Sequence, residues 1–407
     1  GSASLLYCDD DIRNFSLASG ADSLLMSGIG ARPWVVDYHM KSKVFVWSDF
    51  NSNINKAPLW QEEAHRSVLI RDVYSRGIAV DWIHNLIYWT DFSDKSIGVS
   101  RLDTSMVRTV LKEEGAIPYA IVLHPAEGFM FWADHGVTRK IERCNLDGTN
   151  RKVIVKEDIV SAFSLALDLD SQTIFWVDIV KDYVCSSKLD GKNRRNLITH
   201  LRSPASIDVY GQHIYLVQYA SGHEAVYKAS KVDGSGLTKV FDGKETLRSL
   251  KVFHPSKQLE GYDVCGDDNG GCSHLCLPTS GHTFTCACPN DRDMSSDNFT
   301  CLNSDAPLSA LTPLSTSPAV AASMDSTKDQ PPVIDCVVTP WFEWNQCSHT
   351  CGNGRRERRR MIKLNPENGG KPCPARLVQR RECKDNAPCL LEGSERKPSA
   401  IDTGISR

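Results

Sequence analysis

The chain has 407 residues, 41% of them hydrophobic and 24% charged, and its formal net charge is -3. This length allows two or three domains, and a charge so close to zero excludes a nucleic-acid binder that works by overall charge. Twelve of the fifteen cysteines fall in two clusters of six, which indicates disulfides formed in an extracellular or lumenal compartment.

The sequence also predicts a protein outside the membrane. No apolar run approaches the roughly 20 residues that span a bilayer. The chain opens with Gly1-Ser2-Ala3-Ser4 rather than with a signal peptide. We therefore expect a mature secreted protein or a piece of an ectodomain.

A short aromatic segment recurs through the first 260 residues. Its copies are 45–49, 87–91, 130–134, 174–178 and a degraded 214–218. The tryptophans of the first four copies fall 42, 43 and 44 residues apart. A repeat of this length, with alternating aromatic and branched residues, is typical of a radial array of small antiparallel sheets.

Each repeat is expected to form four strands, which make one propeller blade. In the third complete repeat these strands are predicted at 119–123, 129–132, 140–145 and 151–155, with an Asp-Gly turn between the last two. Residues 5–257 accommodate six such blades, although five carry the aromatic segment or its remnant. We expect the sixth blade to combine a strand around Leu5 with the segment 249–253, which closes the ring and removes exposed strand edges. The fold class is therefore all-β.

These repeats resemble the Tyr-Trp-Thr-Asp propellers of the low-density-lipoprotein receptor family, its Wnt co-receptor relatives and nidogen. The six cysteines of residues 265–301, with the segment Asn-Gly-Gly-Cys at 269–272, resemble the EGF-like domain that follows such propellers. This resemblance implies the pairs Cys265–Cys276, Cys272–Cys286 and Cys288–Cys301, whereas spacing alone leaves fifteen connectivities open. The residues before Cys265 lack the acidic ligands of calcium-binding EGF domains, and we expect neither a metal nor a cofactor.

Residues 302–335 are rich in Ser, Thr, Pro and Ala and are predicted to be an extended linker. The next module, 336–389, resembles a thrombospondin type 1 repeat and is followed by a tail at 390–407. The resemblance implies the pairs Cys336–Cys373, Cys347–Cys383 and Cys351–Cys389.

The thrombospondin-like module carries two tryptophans and an alternating run of arginines. In an extended strand Arg356, Arg358 and Arg360 point to one face, where they can stack on Trp341 and Trp344. The matching family positions also imply C-mannosylation of Trp341 and O-fucosylation of Thr350. Acceptors for N-linked glycans occur at Asn14 and Asn298, which suits a secreted protein.

The thrombospondin-like module is locally basic. It contains eleven Lys or Arg against five Asp or Glu, in a chain that is otherwise acidic. We expect a sulfated glycosaminoglycan or a cell surface as its partner, and the alternative is a solvated basic face without a specific ligand. The candidate glycan-binding residues are Arg355, Arg359, Lys363, Arg380 and Arg381.

A protein ligand is expected at the mouth of the propeller, where loops from every blade converge. Aromatic residues with a few arginines are typical of binding hot spots. The alternative is that some of these side chains only plug the channel. The candidate mouth residues are Trp34, Phe92, Tyr119, His135, Phe163 and Arg248.

The Wnt co-receptors hold an Asn-x-Ile peptide through a Trp-Pro-Asn-Gly segment and through an arginine that precedes Ala-Ile. Here the segment is replaced by residues 161–164 and the arginine by Tyr119, so that peptide is not expected to bind.

The predicted function is extracellular ligand binding and adhesion. An ectodomain fragment of an endocytic or signalling receptor is the alternative, and a calcium-dependent propeller hydrolase is a remote one. We expect no enzyme, because no catalytic motif is present and the acids Asp49, Asp91, Asp134 and Asp178 occupy equivalent blade positions, which favours repeated hydrogen bonds at strand ends. No catalytic residue, nucleic-acid partner or membrane span is predicted.

Overall fold

The computed structural model describes most of the chain up to residue 302. The described ranges are 2–27, 31–59, 66–220, 223–243 and 246–302, and then 333, 335–338, 341, 344, 347, 355–360, 362–364, 366 and 369–383. At 220, 337, 359 and 362–364 only the backbone is described. Most of the predicted linker and the whole predicted tail therefore lie outside the described residues.

Twenty-four strands form six four-stranded antiparallel sheets, each of which is one blade. Blade 1 contains β4 (Pro33–His39), β5 (Val44–Asp49), β6 (Ile54–Pro58) and β7 (Ser67–Ile70). Blade 2 contains β8 (Ser75–Asp81), β9 (Leu86–Asp91), β10 (Ser96–Arg101) and β11 (Arg108–Lys112). Blade 3 contains β12 (Pro118–His124), β13 (Phe129–Asp134), β14 (Lys140–Asn145) and β15 (Lys152–Val155). Blade 4 contains β16 (Ala162–Asp168), β17 (Thr173–Asp178), β18 (Tyr183–Lys188) and β19 (Arg195–Ile198). Blade 5 contains β20 (Ser206–Tyr210), β21 (His213–Ala220), β22 (His223–Ser230) and β23 (Thr238–Asp242).

Blade 6 is built from both ends of the propeller, which confirms the prediction from the sequence. Its sheet order is β24 (Ser249–Phe253), β1 (Ser4–Cys8), β2 (Ile12–Ser16) and β3 (Asp22–Met26). Strand β1 pairs antiparallel with β24, with Leu5 opposite Val252 and Tyr7 opposite Leu250. The ring is thus closed by backbone hydrogen bonds between strands from the two ends of the propeller.

The core consists of six apolar clusters, one between each pair of neighbouring blades. The tryptophans of the repeat fill four of these clusters and are at most 2% exposed. Trp132 of blade 3, for example, packs with Tyr88 and Val99 of blade 2. In the degraded repeat Leu216 takes this place against Phe175 and Val177 of blade 4. The aromatic segments are therefore core residues, as their strand periodicity indicates.

The second module packs against one face of the propeller, which we call the lower face. It contains β25 (Leu275–Thr279), β26 (Thr283–Ala287) and a 3-10 turn at Asn269–Gly271. Leu275 and Leu277 join the apolar cluster between blades 2 and 3. Asn290 accepts a hydrogen bond from the backbone N–H of Thr109 at 2.8 Å. The module and the propeller therefore share a continuous core.

The segment between the two modules, residues 254–264, crosses the lower mouth of the channel. It begins with a 3-10 turn at Pro255–Lys257, and a third such turn, Pro125–Glu127, lies at the end of β12. The ammonium group of Lys257 donates to Asp208 Oδ1 at 3.1 Å and to the Val209 carbonyl at 2.8 Å. Trp82 Nε1 donates to the Leu259 carbonyl at 2.9 Å. This segment therefore covers the channel from below.

The described part of the thrombospondin-like module has two strand pairs. Strand β27 (Val337–Val338) pairs with β29 (Ile362–Leu364), and β28 (Arg355–Arg359) pairs with β30 (Val378–Glu382). None of the helices in the described part of the chain has the length and apolarity needed to cross a bilayer.

Five disulfides are present in the described residues. They are Cys265–Cys276, Cys272–Cys286, Cys288–Cys301, Cys336–Cys373 and Cys347–Cys383, the pairings that the resemblance implies. The remaining expected pair, Cys351–Cys389, lies outside the described residues.

Three propeller cysteines, Cys8, Cys144 and Cys185, are free and buried. Burial raises the pKa of each of these thiols, that of Cys185 to about 11. The thiolate, which is the reactive form, is therefore disfavoured at neutral pH.

Candidate functional site

The upper mouth of the propeller is the end at which the first strand of each blade begins and the second strand ends. A buried aspartate at the end of the second strand organises this end of blades 1 to 4. Asp134 Oδ1, for example, accepts the backbone N–H groups of Ile117 and Gly136, both at 2.8 Å. It thereby ties the residue before β12 to the loop after β13 and positions Tyr119 beside His135.

The other three repeated aspartates accept hydrogen bonds in the same way. Their donors include the backbone N–H groups of Asn51 and Asn53 for Asp49, Ser93 and Asp94 for Asp91, and Val160 and Ser161 for Asp178. Burial raises the pKa of Asp91 and Asp134, and these backbone donors oppose that effect. Repeated strand-end hydrogen bonding was the function predicted for these acids. No group of three or more His, Cys, Asp or Glu in the described ranges is arranged to hold a metal ion.

The predicted mouth residues lie together in a continuous chain of ring contacts, which we call the aromatic arc. It comprises Trp34, Phe50, Tyr74, Arg76, Phe92, Tyr119, His135, Phe163 and Arg248. The arc runs over blades 6, 1, 2, 3 and 4. On blade 5, the corresponding residue Tyr219 is buried, with 2% of its surface exposed.

The blade 3 part of the arc is tightly packed. The Tyr119 ring stacks on the His135 ring at 4.4 Å with an interplanar angle of 9° and lies 4.8 Å from the Phe163 ring. His135 Nε2 donates to the Ala162 carbonyl at 2.8 Å. Burial lowers the pKa of His135 to about 4; the hydrogen bond to Ala162 opposes this effect and Arg139 adds to it. His135 is therefore neutral at physiological pH and serves as a flat apolar surface.

The blade 1 and blade 6 part of the arc is more open. Phe50 is 43% exposed and contacts the Trp34 ring edge-on at 5.2 Å. The Arg248 guanidinium lies 5.7 Å from the Phe50 ring and forms an ion pair with Asp10 at 2.9 Å. This end therefore offers an exposed ring beside a cation that already has a counter-charge.

Three arc members, Phe50, Tyr74 and Arg76, were missing from the candidate mouth residues. Phe50 directly follows the second strand of its blade and Arg76 lies at the start of the first strand of its blade, and nothing in the sequence distinguishes either from its equivalents in the other blades. Tyr74 precedes β8 directly, and a repeat alignment extended by two residues upstream would have included it.

A channel lined by the innermost strands of all six blades lies below the arc and has a cavity volume of about 360 Å³. Its wall includes three charged residues on adjacent blades, which are Asp208 of blade 5, Lys251 of blade 6 and Asp37 of blade 1. Lys251 lies 3.6 Å from Asp37, and burial opposes its charge, but Asp37 and Asp208 raise its pKa. Because Asp208 also binds Lys257, these charges compensate one another and strengthen the junction of blades 5, 6 and 1.

The second candidate site is the tryptophan–arginine ladder of the thrombospondin-like module. Arg358 lies between the two tryptophans, 5.3 Å from the Trp341 ring and 4.8 Å from the Trp344 ring. Arg360 lies 4.5 Å from Trp341, and Arg356 lies 5.9 Å from Trp344. The structure thus brings the five predicted ladder residues together.

The candidate glycan-binding residues differ from one another in their exposure and contacts. Arg381 lies 4.1 Å from the Trp344 ring and so also belongs to the ladder, while its role toward sulfate stays a prediction. Arg380 extends from the same strand and forms an ion pair with Glu357 at 3.0 Å. Arg355 is exposed, and the side chains of Arg359 and Lys363 lie outside what the structure describes.

The two N-glycan acceptors differ in their surroundings. Asn298 is exposed in a turn at a φ of 61°. Asn14 lies within strand β2, opposite Leu6 on one side and Ser23 on the other. Thr350, the predicted O-fucose site, lies outside the described residues, and Trp341 is partly buried.

Family models match three regions of the chain. The model of the low-density lipoprotein receptor repeat class B matches residues 85–125 and 128–169. The model of the coagulation factor Xa inhibitory site matches 265–301, and that of the spondin-like TSP1 domain matches 336–389. The chain thus carries receptor class B repeats and a TSP1 domain, which confirms the resemblance drawn from the sequence.

Whole-chain comparisons agree with these matches. The chain is 29% identical over 268 residues to low-density lipoprotein receptor-related protein 5 of Mus musculus, a match that takes 62% of this chain and 16% of the mouse protein. The structure of a nidogen/laminin complex matches with a TM-score of 0.57 and 22% identity, over 64% of this chain and 100% of that one. TolB from Acinetobacter baumannii matches with a TM-score of 0.51 and 12% identity, over 61% of this chain and 66% of its own. At these identities the two structures show the fold alone.

Proposed function

We propose that this chain is an extracellular binding protein with two sites: the aromatic arc binds a protein ligand, and the basic thrombospondin-like module engages sulfated glycans or a cell surface. The observation that carries the first half is the continuous arc of rings and arginines at the upper mouth, on the face opposite the EGF-like module. Rigid aromatic side chains and arginines supply much of the binding energy at protein interfaces.

The position of the arc supports this proposal. The lower mouth is crossed by residues 254–264, so a ligand reaches the channel from the upper side. The nidogen/laminin complex, to which this chain is similar in fold, joins two proteins. Laminin itself is a partner of that nidogen and is not assigned to this chain.

The alternative, that the chain is part of the ectodomain of an endocytic or signalling receptor, is favoured by the match to a receptor-related protein of which the chain spans 16%. Both alternatives place the arc outside the cell and predict a protein ligand. The sequence of the full-length transcript distinguishes them.

A binding role also accounts better for the repeated acids than a hydrolase does. The aspartates that end the second strands of blades 1 to 4 are engaged by backbone donors of their own blades, so the same arrangement occurs four times. A calcium-dependent hydrolase requires instead a set of acidic ligands that converge on one ion. Calcium bound to the purified protein, measured by atomic emission, would contradict the proposed role.

The ligand of the arc can be tested by affinity capture from extracellular-matrix extract. Wild-type chain is compared with a variant that carries Trp34→Ser and Phe92→Ser, and with the control Leu24→Ser, which removes an exposed apolar side chain (48% exposed) from an outer strand. We expect proteins that wild type and the control retain and that the mouth variant loses, with heparin present throughout. Identical captured sets for all three chains would contradict the proposal.

The glycan half can be tested separately on a heparin column. We expect Arg355→Ala combined with Arg380→Ala to elute at a lower salt concentration than wild type. The double variant makes fewer cationic contacts with heparin, so its binding releases fewer counterions and is weaker. The matched control is Lys192→Ala combined with Arg195→Ala, which removes two exposed cations from the propeller. If both double variants shift equally, retention reflects overall charge and the proposed glycan site is wrong.

A further inference from the structure

Arg76 has unusual surroundings in the centre of the aromatic arc. Its guanidinium carbon lies 3.7 Å from the Trp34 ring centroid, 4.6 Å from that of Tyr74 and 5.8 Å from that of Phe92. One terminal nitrogen donates to the Tyr74 hydroxyl at 2.6 Å. The arginine plane is therefore held by rings on three sides while the side chain remains half-buried at the mouth.

The charge of Arg76 lacks the counter-charge that its neighbours have. At the same mouth Arg248 and Arg32 form ion pairs with Asp10 at 2.9 and 3.1 Å. No carboxylate lies within 4.0 Å of Arg76 in the part of the chain that the structure describes. Its Nε is buried without a hydrogen-bond partner among the described residues.

These features define what Arg76 can recognise. A guanidinium has five N–H donors in a rigid fork, and a carboxylate fits that fork with two parallel hydrogen bonds. The surrounding rings exclude water, which strengthens such a pair, and they hold the fork in place before a ligand arrives. We call the rings of Trp34, Tyr74 and Phe92 the cage around Arg76. The exposed Phe50 ring contacts Trp34 and, together with it, offers an apolar surface beside the arginine.

We propose that Arg76 is the specificity-determining residue of the arc and binds an aspartate or glutamate side chain of the protein ligand, next to an apolar residue that packs on Trp34 and Phe50. This inference rests on the proposed function of the arc. It gives the ligand a chemical class: an acidic residue followed or preceded by an apolar one, in an exposed segment.

A library of random dodecapeptides displayed on phage, selected against the whole chain, tests the proposal. We expect the selected peptides to share an acidic residue beside an apolar one. For a selected peptide, replacing its acidic residue by the corresponding amide should weaken binding at least about tenfold, as should Arg76→Met in the protein. The two changes together should cost no more than either alone, because both remove the same contact. Arg76→Lys, which keeps the charge and loses the fork, should cause a smaller loss.

Arg143→Met is the matched control. Arg143 is also half-buried and stacked on a ring, that of Phe129 at 4.3 Å, but it lies on strand β14 away from the mouth. It should leave peptide affinity unchanged. The amide-substituted peptide gives its result even if Arg76→Met fails to fold, since that comparison uses the wild-type chain.

The outcomes separate this inference from the proposed function. Peptides without an acidic preference that bind Arg76→Met as tightly as wild type, but lose affinity for Trp34→Ala, would overturn the role of Arg76 and leave the arc as a binding site. Peptides that bind both variants as tightly as wild type, or the absence of any selected peptide, would overturn both proposals.

Discussion

His135 shows how a single residue of the arc couples packing to pH. In the folded protein its pKa is lowered to about 4 by burial, whereas an unfolded histidine has a pKa of about 6.5. Between these values the unfolded chain binds more protons than the folded one, so the free energy of unfolding falls as the pH decreases. We expect His135 to remove about 1–3 kcal/mol of stability between pH 6.5 and pH 4.

The variant His135→Phe isolates this contribution, because it keeps an aromatic ring against Tyr119 but cannot be protonated. Urea unfolding, followed by tryptophan fluorescence at pH 7, 6, 5 and 4, should show wild type losing its stability advantage over the variant as the pH falls. Asp91 and Asp134, whose pKa values are raised, titrate in both proteins, so their contributions to the pH dependence of the free energy of unfolding cancel in the comparison. A constant difference across this range would mean that His135 does not titrate in the folded protein as we describe.

At the residue scale, the sequence predicted which residues lie at the mouth better than it predicted which side chains they contact. Repeat alignment identified six residues of the arc because equivalent positions in every blade open onto the same mouth. It did not identify the cage around Arg76, since ring-to-cation distances depend on rotamers and on which neighbours already carry counter-charges. Arg381 was not assigned to the ladder for a similar reason: the cross-strand pairing of β28 with β30, which places Arg381 opposite Arg356, is a long-range contact.

The blade as an element depends on a close fit between its second and third strands. In blade 2 Gly98 lies opposite Trp89, and a Cβ atom at Gly98 would come within 2.5 Å of the indole ring. We expect Gly98→Ala to destabilise the propeller by about 1–3 kcal/mol through overpacking. Thermal unfolding measures the effect.

A double variant supplies the control for Gly98. Trp89→Leu alone loses buried area, but it also vacates the space that an alanine at 98 needs. The loss for Gly98→Ala in the Trp89→Leu background should therefore be smaller than in wild type. Additive losses would show that Gly98 is required for its backbone conformation and not for its contact with the indole.

The tryptophan–arginine ladder is the second element whose energetics can be separated from binding. Arg358 is its central rung, in contact with both tryptophans, whereas Arg380 on the neighbouring strand is exposed and pairs with Glu357. We expect Arg358→Ala to lower the stability of this module by about 0.5–2 kcal/mol. Arg380→Ala should leave stability nearly unchanged, because exposed ion pairs contribute little.

Scanning calorimetry of the whole chain gives the measurement for the ladder, with the two variants as each other's control. Equal shifts of the transition in both variants would contradict the division between structural and surface arginines. The ladder itself was predictable from sequence because strand alternation places Arg356, Arg358 and Arg360 on one face. Which of the other cations are available to a glycan was not predictable, since local strand geometry does not specify which cations form ion pairs within the module.

At the scale of the whole molecule, the sequence predicted the ring because its period is global. Six blades, closure by both ends and the order of the modules all follow from a repeat of 42 to 44 residues and two cysteine clusters. The attachment of the EGF-like module was not predictable, because it depends on Leu275 and Leu277 entering a cluster between two blades and on Lys257 reaching Asp208. That attachment decides which mouth of the channel is accessible.

Closure of the ring depends on one short strand at the beginning of the chain. Strand β1 is buried along its whole length and is hydrogen-bonded to β24 on one side and to β2 on the other. We expect deletion of residues 1–8 to expose the edges of β24 and β2 that pair with β1. These edges can then form hydrogen bonds with a strand of another molecule. Size-exclusion chromatography with light scattering should show dimers and larger species, and thermal unfolding should begin at a lower temperature than in wild type.

Deletion of residues 1–3, which leaves β1 intact, is the control and should preserve the wild-type profile. A monomeric deletion variant with wild-type thermal stability would show that the other blades close the ring without β1, and the aromatic arc would then not depend on the pairing of the two chain ends.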